Sequence, residues 1–187
     1  VFIPGGTPRV LGPADDRYLI ARYDGGVAYF DRWLGELVAG LRGRGLLENT
    51  LLVVTSDHGE SFAERDDEYF THDPHPYEQV LRVPLLIRFP DADARHGGKR
   101  VAALGESVDL VATVLDWLGL AGTSRAATVQ GRSLLPRIDG AEGARYVYAQ
   151  SQIKWTLEVD DAKGVATVRS PTHRLEKDLA TGKVHLR

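Results

Sequence analysis

Leu51-Leu52-Val53-Val54-Thr55-Ser56-Asp57-His58-Gly59-Glu60-Ser61 decides how the chain reads. Five residues of strand character run straight into an acid, an imidazole and a glycine. A short, continuously apolar strand is the kind buried on both faces of a parallel sheet. Titratable groups at the end of such a strand are costly unless something compensates them. In open α/β sheets, ligands collect at the carboxyl ends of strands, and Asp57 and His58 occupy such an end. Adjacent side chains on a regular strand point to opposite faces, but a glycine next in line permits a sharp turn that lets both face one pocket. A carboxylate oxygen and a neutral imidazole nitrogen suit a divalent cation. The blander alternative makes Asp57 a helix cap and His58 a satisfied surface residue. Against it, His72 and His75 follow in the next loop, with Glu60 and Glu64 nearby.

Working outward, residues 1–14 are rich in proline and glycine and read as a loop. Val27, Phe30, Leu34, Leu37, Val38 and Leu41 then recur at three- and four-residue steps, which predicts a helix with one apolar stripe. Gly25 and Gly26 weaken its first half, and Gly43 and Gly45 end it. Downstream, Val83–Phe89 reads as a second apolar strand between Pro84 and Pro90. A helix carrying Leu110, Val111, Val114, Leu115 and Leu118 follows, with Ser107 or Asp109 as its cap and Gly119 as its stop. Helix, strand, strand, helix with short connectors predicts part of an α/β layered fold. From Tyr146 the pattern changes to short alternating segments at 145–149, 165–169 and 184–186, a small antiparallel region. The division expected is 1–145 for the α/β part and 146–187 for that region.

With 187 residues, 43% hydrophobic and 26% charged, the chain has ordinary globular composition. A formal charge of −3 and the lack of a basic cluster with interleaved aromatics argue against a nucleic-acid partner. No apolar run reaches the roughly 18 residues of a membrane span. Cysteine is absent, which excludes disulfides and thiolate chemistry within these residues. Methionine is absent even from position 1, so the chain reads as a piece of a larger protein. Gly59-Glu60-Ser61-Phe62-Ala63 has the outline of a nucleophile elbow, but polar residues separate its glycine from the strand, which that motif does not allow. Ser56-Asp57-His58 is no triad, because three consecutive residues cannot form the required hydrogen-bond chain.

Together, YDGGVAYFDRWLGELVAGLRGRGLLENT, LLVVTSDHGES, YEQVLRVPLLIRFP, SVDLVATVLDWLGL and QGRSLLP resemble the carboxyl-side half of a sulfatase, in the alkaline phosphatase superfamily. The resemblance implies the second half of an α/β/α sandwich with a small antiparallel carboxyl-terminal region. It implies that Asp57 and His58 are metal ligands, for calcium first, with manganese or zinc also compatible. His72 falls where relatives place a histidine or lysine that touches the sulfate or phosphate and helps the leaving group; His75 is a second candidate. Arg82-Val83-Pro84-Leu85 is implied to be structural, with Pro84 fixing the strand and Arg82 pairing with nearby acids, and Asp31 is likewise read as structural. The family's nucleophile, a formylglycine or an unmodified serine or threonine, lies before this region. Asp73 stands where glycine is usual and Ala112 where proline is common.

The activity implied for the parent protein is metal-dependent hydrolysis of small-molecule or glycan sulfate esters. Phosphate or phosphonate esters come second, then phosphoethanolamine or phosphoglycerol transfer, then a non-catalytic relative. The isolated fragment is expected to be inactive. Membrane anchoring would come only through a preceding part, and an extracytoplasmic setting is implied by the resemblance alone.

Overall fold

The chain is described here by a computed structural model covering residues 12–62, 72, 76–123, 128–143, 145–152 and 164–186. It divides into two compact units, one of residues Val1–His72 with Arg82–Ala94 and one of Asp73–Leu81 with Arg95–Arg187.

In the first unit, helix α1 spans Pro13–Gly43. It starts where proline's missing N–H does no harm, and the Asp15 carboxylate accepts the Gly12 N–H at 3.1 Å. The helix continues through Gly25 and Gly26, each about 1 kcal/mol worse than alanine, because a helix of 31 residues absorbs two weak positions. The predicted stripe is divided: Leu34, Leu37, Val38 and Leu41 are half-buried, whereas Val27 and Phe30 are exposed. The carboxyl-terminal end of α1 packs on the 3-10 turn Leu47–Asn49, whose Leu47 is buried. Gly45, at φ 64°, makes this return possible. It lets its own N–H reach Arg42 O and the Leu46 N–H reach Leu41 O, both at 3.0 Å, so the last carbonyls are satisfied. Asp31 is exposed on this helix, with no described contact to give it a structural role.

Strand β1 (Leu52–Thr55) pairs with β2 (Leu85–Arg88) in an antiparallel sense, Val53 facing Ile87. This corrects the parallel expectation: a continuous apolar run signals burial on both faces, and says nothing about the direction of the neighbour. The RVPL segment also works differently from the expectation. Arg82 is exposed and pairs with no acid among the described residues, whereas the Pro84 carbonyl accepts the Thr55 hydroxyl at 2.9 Å. The fastening cation is Arg88. Its guanidinium donates to the Leu47 and Thr50 carbonyls at 2.6 and 3.1 Å and pairs with Asp91, holding the turn that feeds β1.

In the second unit, α2 (Glu78–Leu81) carries Glu78, which pairs with Arg169. Helix α3 spans Asp109–Trp117, and α4 Leu135–Ile138. Neither predicted residue caps α3: the cap position is Val108, and Asp109 is already helical. The Asp109 carboxylate instead turns back to accept the Glu106 and Arg132 N–H groups, each at 2.8 Å. Arg145 reaches the same carboxylate at 2.6 Å and the Glu106 carboxylate at 2.9 Å. One turn on, Thr113 accepts the Leu134 N–H at 2.9 Å, so buried polar groups tie α3 to the start of α4.

Gly131 allows that approach. A Cβ built there would lie 2.3 Å from Val108 O, at a φ of +94°. Gly131→Ala should therefore destabilise the protein by about 1–3 kcal/mol; a urea midpoint equal to wild type would show that the loop has room to shift.

The unit is completed by β3 (Val147–Gln152), β4 (Gly164–Arg169), β5 (Arg174–Asp178) and β6 (Val184–Leu186), antiparallel and adjacent in chain order. Three of these strands follow from alternation. The sequence RLEKD of β5 does not look like a strand, but its alternation is real: Arg174 and Glu176 share a face and form an ion pair there. Among the described residues no helix is long and apolar enough to cross a membrane.

Candidate metal and leaving-group site

Beyond β1 the backbone turns at Ser56. Its hydroxyl donates to the His58 carbonyl at 2.7 Å, which closes the turn. Asp57 Oδ1 accepts the His58 N–H at 3.0 Å. That backbone hydrogen bond, with one from Asp57's own N–H, holds the Asp57 carboxyl below the usual aspartate range, so the group is an anion at neutral pH. His58 Nδ1 lies 2.7 Å from the Gly59 carbonyl. A carbonyl only accepts, so Nδ1 carries a proton, and in the neutral ring it is Nε2 that presents a lone pair. This is the arrangement by which a backbone carbonyl orients a metal-binding histidine.

His58 Nε2 and Asp57 Oδ2 lie 3.8 Å apart. Two ligands each about 2.0–2.5 Å from one cation can be separated by such a distance. The donor pair therefore fits a divalent cation in chemistry, protonation and spacing. It is half a site at most: among the described residues no three acidic or imidazole groups converge as a metal cage.

His72 comes to the same place. Its ring stacks on that of His58, with centroids 4.0 Å apart and planes at 22°, and its Nδ1 lies 3.4 Å from Glu60 Oε2. Three of the four residues named from sequence, Asp57, His58 and His72, are thus neighbours; His75 lies outside the described residues. Glu60 is the member that sequence reasoning left without a role, although its place two residues after His58 was a usable signal. Ser61 is 2% exposed. A hydroxyl so enclosed cannot meet a substrate, which removes the elbow reading.

The family profile of the sulfatases matches residues 5–120. This chain belongs to the sulfatase family. As a sulfatase-family chain it is 35% identical over 138 residues to the multifunctional alkaline phosphatase superfamily protein PehA of Trinickia caryophylli, covering 74% of this chain and 25% of PehA. It is 38% identical over 106 residues to arylsulfatase K of Bos taurus, covering 57% of this chain and 18% of that protein. Among solved structures it resembles the phosphonate monoester hydrolase SpPMH from Silicibacter pomeroyi, with a TM-score of 0.76 and 30% identity over 94% of this chain and 36% of the hydrolase. The α/β fold expected from sequence is thus the one found, with small antiparallel sheets. The sulfatase-family chain spans about a quarter or less of the length of these curated relatives.

Proposed function

We propose that the protein carrying this chain hydrolyses sulfate esters, of small molecules or glycans, with a divalent cation held in part by Asp57 and His58. The observation that carries the proposal is the convergence of an anionic carboxylate and an imidazole lone pair at a strand end, with a second imidazole stacked beside them. The likeness to arylsulfatase K supports sulfate as the transferred group. When bound, the cation would polarise the ester oxygens and stabilise negative charge in the transition state. An imidazole among oxygen ligands suits calcium, our first choice, and also manganese or zinc.

Asp57 supplies negative charge to this site, and His58 supplies Nε2 with its orientation fixed by the Gly59 carbonyl. His72 Nε2 would hydrogen-bond a transferred-group oxygen or give a proton to the departing alcohol oxygen, the ordinary work of a positioned general acid. His75 stays the second candidate for that task. Phosphonate or phosphate monoesters are the second reading, favoured by the likeness to a phosphonate monoester hydrolase.

The test is a comparison of kcat/KM for an aryl sulfate and an aryl phosphonate monoester, with the whole protein before and after chelation. Sulfate should be preferred, and chelation should remove activity that added cation restores. A preference for the phosphonate would promote the second reading, and activity indifferent to chelation would remove the cation.

For His72, alanine substitution should lower kcat on a poorly leaving alcohol by about 10²- to 10⁴-fold, the usual range for general acid–base groups, at unchanged metal content. Wild-type kcat would transfer the role to His75.

A further inference from the structure

Glu60 has a side chain whose two oxygens are treated very differently. Oε2 faces His72 Nδ1 at 3.4 Å. Oε1 is closed off from solvent and meets no hydrogen-bond donor. A carboxylate placed only to stabilise the fold would ordinarily have both oxygens satisfied, since a buried acceptor without a donor costs about 1–3 kcal/mol. Among the described residues its polar contact is with one imidazole.

The backbone beneath Glu60 is well anchored. Ser61, the next residue, is buried. Phe62, one further on, packs edge to face on Tyr23 of α1, with centroids 4.8 Å apart. The carboxylate therefore stands on a fixed base, while His72 arrives from a position twelve residues along the chain. On its other side, the His72 ring is limited by the stacked His58 ring. One contact sets the plane of the imidazole and the other sets its rotation within that plane.

We propose that Glu60 is a positioning residue for His72: its Oε2 accepts the Nδ1 proton, selects one tautomer and leaves Nε2 as the nitrogen turned to the ester. This rests on the role proposed above for His72, and it adds a carboxylate partner that the family resemblance did not supply. The chemistry follows from hydrogen-bond inventory alone. A neutral imidazole has one N–H and one lone pair, so an acceptor at Nδ1 determines what Nε2 offers. As general acid the ring starts as the imidazolium: Oε2 holds the Nδ1 proton, the Nε2 proton passes to the departing alcohol oxygen as its bond to the transferred group breaks, and the ring is left as the Nδ1–H tautomer without turning.

The experiment uses the whole protein and two substrates, 4-nitrophenyl sulfate, whose alcohol leaves readily, and an alkyl sulfate, whose alcohol does not. Glu60→Ala should lower kcat on the alkyl sulfate by about 10- to 100-fold, the loss typical of an outer partner of a working imidazole. On the nitrophenyl ester it should change little, and metal content and KM should stay near wild type. Glu60→Gln, which keeps an acceptor oxygen, should recover most of the loss. In a His72→Ala background, Glu60→Ala should add nothing. If Glu60→Ala does not fold, Glu60→Asp, which withdraws the acceptor by one methylene, is read by the same comparison.

A wild-type kcat for Glu60→Ala beside a lowered one for His72→Ala would overturn the inference and leave the proposed function standing. A fall in metal content would also overturn it, by assigning Glu60 to the cation. Wild-type kcat in His72→Ala would instead remove the role of His72, and this inference with it.

Discussion

Asp57→Ala in the whole protein should abolish ester turnover and lower cation affinity by more than the 10- to 100-fold that loss of an outer-shell partner costs. Both effects have one cause. In the proposed site the substitution would remove the anionic ligand and leave an imidazole, which adds no negative charge to balance a divalent cation. The local fold should survive, because Asp57 is a solvent-facing residue of a turn closed independently by the Ser56 hydroxyl. Asp57→Asn is the informative companion: it keeps an oxygen ligand but removes the charge, so it should fall between wild type and alanine. Calorimetric titration with calcium, manganese and zinc, alongside turnover, checks this. Equal affinity in wild type and Asp57→Ala would make the carboxylate an ordinary turn residue.

Arg145→Ala should be the most destabilising substitution in the second unit, by about 3–5 kcal/mol, the usual result of removing one partner from a buried ion pair. Asp109 has no solvent exposure, and Arg145 is itself buried. Without the guanidinium, Asp109 would keep two backbone donors but no countercharge. Burial raises the Asp109 carboxyl's pKa, yet the Arg145 hydrogen bond and charge, with the Arg132 and Glu106 N–H groups, outweigh it and hold the group below the ordinary aspartate value.

The sign of the pH dependence follows. A carboxyl depressed in the folded state contributes stability that is complete above its unfolded value, near pH 4, and lost as pH falls through the folded value. In Arg145→Ala the desolvation survives and the main opposing charge does not. Its acid-induced unfolding should then begin at a higher pH than in wild type. Urea titrations across the acid range measure both effects; an unchanged midpoint in Arg145→Ala would mean that the pair is dispensable to the fold.

Much of this was legible because the decisive information is local. The run Leu51–Thr55 leads through Ser56 to Asp57 and His58, so a strand and the polar side chains just beyond its end could be read from eleven consecutive residues. Helices α1 and α3 followed from periodicity, and Gly45 and Gly119 were rightly placed as stops, since both take the left-handed backbone that ends a helix; α2 and α4, of 4 residues each, are too short to show a period. What escaped depended on distant partners. The direction of β2 relative to β1 leaves no mark in an apolar run. The role of Asp109 could not be seen because Arg145 is 36 positions away, and an acid ahead of an apolar helix reads first as a cap. The contact of Glu60 appears only once a ring from twelve residues downstream is brought over it. Strand β5 was hidden for another reason: its inward positions are charged and satisfy one another, so alternation in polarity is absent where alternation in burial is present.

Whether Asp57 and His58 share one cation is decided by diffraction at the manganese absorption edge from crystals of the whole protein grown with Mn²⁺. An anomalous peak is expected about 2.0–2.5 Å from both an Asp57 carboxylate oxygen and His58 Nε2, with His58 Nδ1 still bonded to the Gly59 carbonyl. An ordered Mn²⁺ bound elsewhere, with Asp57 and His58 both facing solvent, would contradict it.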